Sequence, residues 1–250
     1  MPDGCSSQIM HNIQTSLTQE HFMTGQNTAL IIGASRGLGL GLVKQFNQSG
    51  WQVTATVRAP QRADELKALH GIQIETLDID DSESLDALAE QLRGQVFDLI
   101  FVNAGVLGPE HQSAAAATQA ELGQLFMTNV SAPIRLAEKL VDQLRPTTGV
   151  LAFMSSVLGS VTNPEGNNLA LYKASKAALN SLTNSFVCSL PEPRPTVLSL
   201  HPGWVRTEMG GPNAEIEVET SCAGLAAQVQ RFAGKGGHHF VDYQGQAIPW

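Results

Sequence analysis

Tyr172 and Lys176 place a phenol and an ammonium four residues apart, within Leu171-Tyr172-Lys173-Ala174-Ser175-Lys176-Ala177-Ala178-Leu179. On a helix this spacing stacks both side chains on one face. Neither group does acid–base work readily at neutral pH alone, because tyrosine ionises near ~10 and lysine near ~10.4. A neighbouring positive charge favours phenolate, so the lysine is expected to lower the tyrosine pKa towards the working range. Such a pair can give a proton to a carbonyl oxygen, or act as base for the reverse alcohol oxidation. Exposed helices also carry Tyr and Lys at this spacing by chance. The pair therefore has weight only if the rest of the chain supports it.

Support comes first from Gly33-Ala34-Ser35-Arg36-Gly37-Leu38-Gly39. The short apolar run Thr28–Ile32 before it reads as a buried parallel strand, and Leu38, Leu42, Val43 and Phe46 after it follow a helical period. Strand, glycine turn and helix N-terminus together make an anion site, where backbone N–H groups and the helix dipole meet a phosphate. The spacing is G-x3-G-x-G. The second strand, 51–57, ends at Arg58 with no acidic residue beside it. An acid at that strand end binds a ribose 2′-hydroxyl, whereas an arginine accommodates a 2′-phosphate. Arg58, with Arg36 in the glycine turn, thus favours NADP(H) over NAD(H).

The elements that position these groups follow in order. A helix over 62–69 precedes a third strand at 72–77. Asp78 comes next, either a turn residue or a contact to an adenine ring, and then Ile79. Ser82 is a candidate cap for a helix directing Leu85, Leu88 and Leu92 inward. Residues 97–102 form a fourth strand, closed by Asn103-Ala104-Gly105. The run Ala114–Ala117 favours helix, and a longer helix is expected from about 121 to 144. That helix should break near Asn129 and Pro133; Asn129 either causes the break or is a surface amide. A fifth strand at 150–154 leads into Ser155-Ser156, and the Tyr172 helix has its apolar positions at Ala178, Leu179, Leu182 and Phe186. A sixth strand at 197–200 runs into His201-Pro202-Gly203-Trp204-Val205-Arg206-Thr207. Residues 208–220 read as a mobile loop, 222–232 as a helix and 239–242 as a last strand. Strands alternating with helices predict a single-domain, Rossmann-type α/β fold, with a doubly wound, mostly parallel sheet of seven strands and ligands at their carboxyl ends.

Composition bounds the remaining choices. With 250 residues, 15% charged and 42% hydrophobic, the chain can bury a sizeable core. A net charge of −8 argues against a general nucleic-acid or anionic-membrane binder. No apolar run approaches the ~18 residues of a membrane span. Cys5, Cys188 and Cys222 are far apart and lack CxxC spacing, so they read as reduced thiols of a cytoplasmic protein. His238 and His239 have no third ligand at sensible spacing, and no metal is expected. Residues 1–24 are polar and unpatterned, without the layout of a signal peptide. They are expected to be a flexible extension of a domain spanning 25–250, with Met23 as an alternative start.

With Gly33–Gly39, Asn103-Ala104-Gly105, Asn129, Ser156 and Tyr172–Lys176 in chain order, the sequence resembles the short-chain dehydrogenase/reductase family from about Thr28 onward. Ser155 to Ser160, Ser175 to Asn180, Trp204 to Pro212 and the ending from Asp242 to Trp250 look like the branch holding sniffer-type carbonyl reductases and C-factor signalling proteins. Two departures stand out. Ile32 replaces the usual Thr before the first glycine, and the Ser156–Tyr172 separation is long, as in that branch. Ser156 rather than Ser155 matches the family serine, since it directly precedes Val-Leu-Gly.

The resemblance implies an NADP(H)-dependent reduction of an aldehyde or ketone, or its reverse, by a homodimer or homotetramer. Tyr172 would give the proton, and Lys176 would hold the ribose and lower the tyrosine pKa. Ser156 would bind the carbonyl oxygen, and Asn129 would position a water linking Lys176 to solvent. The cofactor would lie along Gly33, Ser35, Arg36, Gly37, Leu38, Gly39, Arg58, Asp78, Ile79, Asn103, Ala104 and Gly105. Beyond these it would meet Tyr172, Lys176, Pro202, Gly203, Val205 and Thr207, the last two at the nicotinamide amide. The C-factor likeness raises an alternative, a cofactor-binding signalling protein. A pure binding module has no need of a proton donor, so the intact set favours the enzyme. A sugar-nucleotide epimerase is disfavoured by the lack of a substantial C-terminal substrate domain.

Overall fold

The computed structural model describes residues 26–163 and 168–250; the expected extension at 1–24 lies outside them. Seven strands form one sheet: β1 (Thr28–Ile32), β2 (Gln52–Val57), β3 (Ile72–Thr76), β4 (Leu99–Val102), β5 (Val150–Met154), β6 (Thr196–His201) and β7 (Gly237–Asp242). Their order is β3-β2-β1-β4-β5-β6-β7, and each neighbouring pair is parallel. The chain winds outward from β1 to β3, then returns to place β4 on the other side of β1. The carboxyl ends of β1 and β4 are therefore adjacent at the point where winding reverses, which is where such sheets open a crevice.

Near-continuous apolar strands fit a sheet covered on both faces. Ala29 and Ile31 of β1 join Leu42, Phe46, Leu225 and Val229 in one core, while Leu30 and Ile32 join Leu85, Leu88, Leu136 and Leu140 in the other. The first layer is α1 (Gly37–Gln48), with the short α2 (Asp64–Lys67) and, later in the chain, Val218–Phe232. The second holds α3 (Ser82–Gln91), α4 (Gln119–Phe126), α5 (Ala132–Leu140), α6 (Ala170–Ser189). The helix over Val218–Phe232 is α7.

Several local expectations change. Asp81, not Ser82, caps α3, its carboxylate accepting from Glu83 N at 3.0 Å. Asp81 keeps an extended backbone, which a cap needs, whereas Ser82 is already helical. The expected 62–69 helix shrinks to one turn after the 3₁₀ segment Pro60–Arg62. The alanine run turns on the Ser113 carbonyl instead of nucleating a helix, and α4 starts only where Thr118 and Glu121 form a capping box. The break near Asn129 is present, as a π turn over Met127–Ser131 between α4 and α5. The expected free loop at 208–220 is shorter. Ile216 pairs its backbone with Trp204 and Arg206, and α7 begins at Val218. Asp242 N and Ile248 N bond back across β7, so the end of the chain lies along the sheet edge.

Candidate active site

The glycine turn is shaped by contact with the end of β4. Gly33 turns the chain with φ +81°, a left-handed conformation that favours glycine. A Cβ on Gly33 would lie 2.9 Å from Ala104 Cβ, and one on Gly39 would strike the Gly33 carbonyl oxygen and sit 2.7 Å from Asn103 Nδ2. Asn103 Nδ2 donates to Gly33 O at 2.8 Å, which fixes the two segments together. The hydroxyl that Ile32 cannot offer comes from the next strand: Gly33 N donates to Thr56 Oγ1 at 3.2 Å. At the start of α1, Arg36 is extended, no side chain caps the helix, and its first turn carries no acid. Those N–H groups and that uncrowded backbone fit a dinucleotide pyrophosphate. Ser35 beside them is exposed, and Leu38 O accepts from Cys222 Sγ at 3.5 Å.

Asn129 and Lys176 meet beside Gly105, with the Tyr172 ring next to the lysine. The position a Gly105 Cβ would take is 3.3 Å from Asn129 Oδ1 and 3.5 Å from Lys176 Nζ. Lys176 is buried, donates to Met154 O at 2.9 Å, and lies 5.6 Å from the centre of the Tyr172 ring. The π turn carries Asn129, a fully buried amide rather than a surface one. Its Oδ1 accepts from Val106 N at 2.8 Å, and its Nδ2 donates to Val106 O at 2.8 Å and Ser175 Oγ at 3.0 Å. Ser175 Oγ in turn donates to Tyr172 O at 2.7 Å.

The two serines after β5 point to different tasks. Ser155 Oγ donates to the buried Asn180 Oδ1 at 2.8 Å. Ser156 Oγ accepts from Leu158 N at 3.2 Å, which leaves its proton available to another acceptor. The following 3₁₀ turn, Val157–Gly159, packs so tightly on α6 that a Cβ on Gly159 would lie 2.9 Å from the Lys176 carbonyl carbon.

Burial dominates the titration of the central pair. It pushes the Tyr172 phenol up to about 12 and the Lys176 ammonium down to about 8. The expected lowering of the tyrosine by its lysine is therefore not what this structure has. Desolvation raises the tyrosine pKa, and the ammonium hydrogen-bonds the Met154 carbonyl.

Other expected cofactor residues follow the carboxyl ends of β2, β3 and β6. Arg58 is exposed and has no ion-pair partner among the described residues, whereas Arg36 is paired with Glu208. Asp78 caps a turn, its Oδ1 accepting from Asp80 N at 3.1 Å, and Ile79 is buried in the core. Thr207 Cγ2 is 3.5 Å from where a Gly37 Cβ would be, which brings the segment after β6 over the glycine turn. Val205 is buried; Gly203 turns at φ +81°; Pro202 O accepts from Ser221 Oγ at 2.7 Å.

Sequence reasoning missed Thr56, Gln112, Ser175, Glu208 and Asp80, whose Oδ2 accepts from Thr128 Oγ1 at 2.7 Å beside Asn129. A β-branched strand residue or a loop amide carries no spacing that marks such contacts. Among the described residues no group of three His, Cys, Asp or Glu can hold a metal, and no helix is long and apolar enough to cross a membrane.

A model of the short chain dehydrogenase family matches residues 27–217. The chain belongs to the short-chain dehydrogenase family. As an oxidoreductase of this family it also matches, over residues 1–48, a model of the NAD(P)H binding domain of trans-2-enoyl-CoA reductase. A carbonyl reductase from Pseudomonas aeruginosa, solved in complex with NADP, is 43% identical, with 90% of this short-chain dehydrogenase and 100% of that chain covered and a TM-score of 0.83. The carbonyl reductase Sniffer of D. melanogaster is 31% identical over 90% of this chain and 100% of that one, with a TM-score of 0.80. The C-signal of Myxococcus xanthus is 36% identical over 158 residues, 61% of this chain and 92% of that protein.

Proposed function

We propose that this short-chain dehydrogenase is an NADP(H)-dependent reductase of aldehydes or ketones. The observation that carries the proposal is the convergence of Lys176 Nζ and Asn129 Oδ1 on Gly105, under the Tyr172 ring and beside an uncapped helix N-terminus. The NADP complex of the Pseudomonas aeruginosa relative supports the cofactor, as does the exposed Arg58, which has no ion-pair partner among the described residues.

In this reading the turn Gly33–Gly39 and the start of α1 hold the pyrophosphate. Arg58 and Arg36 meet the 2′-phosphate, Asp78 and Ile79 flank the adenine, and Lys176 holds the ribose. Asn103, Ala104, Gly105, Val205 and Thr207 wall the nicotinamide side. When bound, the reduced cofactor supplies the hydride that adds to the carbonyl carbon.

The chain's own residues manage the oxygen. Ser156 donates its hydroxyl proton in a hydrogen bond to the carbonyl. Tyr172 transfers its phenolic proton to the oxygen as the carbonyl electron pair moves onto it. A phenol held near 12 is protonated throughout the neutral range, which is the form that reduction needs. Lys176, with a pKa near 8, is still an ammonium at neutral pH and stabilises the phenolate that results. Asn129 spends its amide on Val106 and Ser175, so its contribution is to hold the loop and α6 in register around the pair.

The test is NADPH consumption over a panel of aldehydes and ketones, with NADPH binding measured separately. Turnover that depends on Tyr172 is expected. Tight NADPH binding without turnover of any carbonyl would overturn the reductase reading and favour a cofactor-sensing role.

A further inference from the structure

Helix α6 starts without a cap of its own. Its N-cap position is Leu169, left-handed at φ 58°, and no side chain there accepts from the first turn. The third helical residue is Tyr172, and its backbone N–H is one that a capping oxygen normally takes. That oxygen comes from elsewhere in the chain: Tyr172 N donates to Gln112 Oε1 at 3.0 Å.

Gln112 is built for this contact. Its residue is buried at 9% exposure, and its backbone is left-handed at φ 50°, unusual for a side chain that is neither glycine nor asparagine. Its Nε2 donates to Leu107 O at 2.9 Å and Pro109 O at 2.8 Å. All three partners fix the direction of the carboxamide, so the oxygen has one orientation. The loop it belongs to begins at Gly105 and is held at Val106 by both ends of the Asn129 amide. Two buried amides therefore fasten this loop, and each also reaches α6, one through Ser175 and one at Tyr172 itself.

We infer that Gln112 is a positioning residue for Tyr172. It sets the backbone from which the phenol projects, and ties that backbone to the loop flanking Gly105. The inference rests on the reading of Tyr172 as proton donor. It adds a residue that touches neither carbonyl nor cofactor, yet determines how well the proton is aimed. Misplacement of a reacting group by about 1 Å can cost on the order of 100-fold in rate.

Backbone and side chain can be separated experimentally, because glycine adopts φ 50° freely. Gln112→Gly tolerates that backbone angle and removes the carboxamide with its three hydrogen bonds. Gln112→Asn keeps a carboxamide, with both acceptor and donor, on a residue type that tolerates the left-handed region. Each is compared with the unaltered protein and Tyr172→Phe, using NADPH and the fastest carbonyl of the panel. Melting temperature and NADPH dissociation constant are measured alongside.

The expected result for Gln112→Gly is a kcat lowered about 10-fold or more, with melting temperature, NADPH affinity and KM little changed. Gln112→Asn should recover part of that loss. A Gln112→Gly protein with unchanged kcat, while Tyr172→Phe is inactive, overturns the positioning role. So does a loss of kcat that simply tracks a fall in melting temperature across both Gln112→Gly and Gln112→Asn. Full turnover by Tyr172→Phe would instead remove the proton-donor reading beneath it, and is read independently of either Gln112 variant.

Discussion

Arg36, at the mouth of the glycine turn, forms an ion pair with Glu208, in the segment that follows β6. Both side chains are largely exposed, so the pair itself adds little stability. Its consequence concerns the cofactor. In the proposed NADP(H) site a 2′-phosphate would meet Arg58, which has no ion-pair partner among the described residues, and Arg36, already engaged by a carboxylate. Glu208→Gln should therefore tighten NADPH binding, by roughly 2- to 10-fold at low salt and less as salt screens the charges. NADH affinity and melting temperature should stay as they are. Titration of both cofactors checks this, and equal tightening for NADH would show that Glu208 acts on something other than the phosphate.

Arg58→Asp should do the reverse. It removes a cation that has no ion-pair partner among the described residues and places a carboxylate where the proposed site would bind a 2′-hydroxyl. NADPH affinity should fall about 10-fold or more while NADH gains. If the unaltered protein already binds NADH as well as NADPH, the assignment of Arg58 is wrong.

Tyr172→Phe removes one hydroxyl and keeps the ring over Lys176. General acid–base catalysis contributes about 10²–10⁴-fold, so kcat should fall by that order. NADPH affinity should change little, because the glycine turn, the arginines and Lys176 are untouched. Steady-state rates and a separate binding titration give the answer. Near-normal turnover would remove the proton-donor role.

The strands and the glycine turn were legible because each rests on neighbours in sequence. Ala29 and Ile31 on one face of β1 and Leu30 and Ile32 on the other are all apolar, and Gly33, Gly37 and Gly39 sit where the chain must turn into a helix. The π turn was foreshadowed by Asn129 and Pro133 for the same local reason. What was not legible depends on distant partners. Asn129 becomes a buried amide only once Val106 and Ser175 surround it. The missing hydroxyl at Ile32 is replaced by Thr56 from another strand. Glu208 reaches Arg36 across the fold, and the tyrosine pKa follows the cover placed over it rather than the lysine four residues on.

Gly39→Ala and Gly123→Ala should separate steric necessity from intrinsic preference. A Cβ at Gly39 would strike the backbone oxygen of Gly33, which cannot swing aside as a side chain can. That variant should lose cofactor affinity and stability together. Gly123 lies within α4, and a Cβ there meets nothing within 4 Å. Its replacement by alanine should stabilise by about 0.5–1 kcal/mol, seen as a raised denaturation midpoint with activity intact.

Lys176 offers the sharpest pH test, because its ammonium is buried in the cofactor-free protein. Its pKa falls from 10.5 to about 8 through desolvation. The unfolded chain therefore binds more protons at this site between about pH 8 and 10.5. Stability rises with pH wherever the unfolded state holds the extra proton. The burial penalty is thus fully present below pH 8 and is relieved as pH climbs through that window. Tyr172 acts oppositely, since its folded pKa of about 12 exceeds the unfolded value, but its destabilising range lies above pH 10. Lys176→Met keeps a long unbranched side chain and removes the titration. Denaturation midpoints of both proteins, taken without cofactor from pH 7 to 10, should show the unaltered protein gaining on the variant above pH 8. The gain is bounded at roughly 3 kcal/mol. A difference that stays flat with pH would mean that Lys176 titrates as an ordinary lysine, and its ammonium would then carry no burial penalty to relieve.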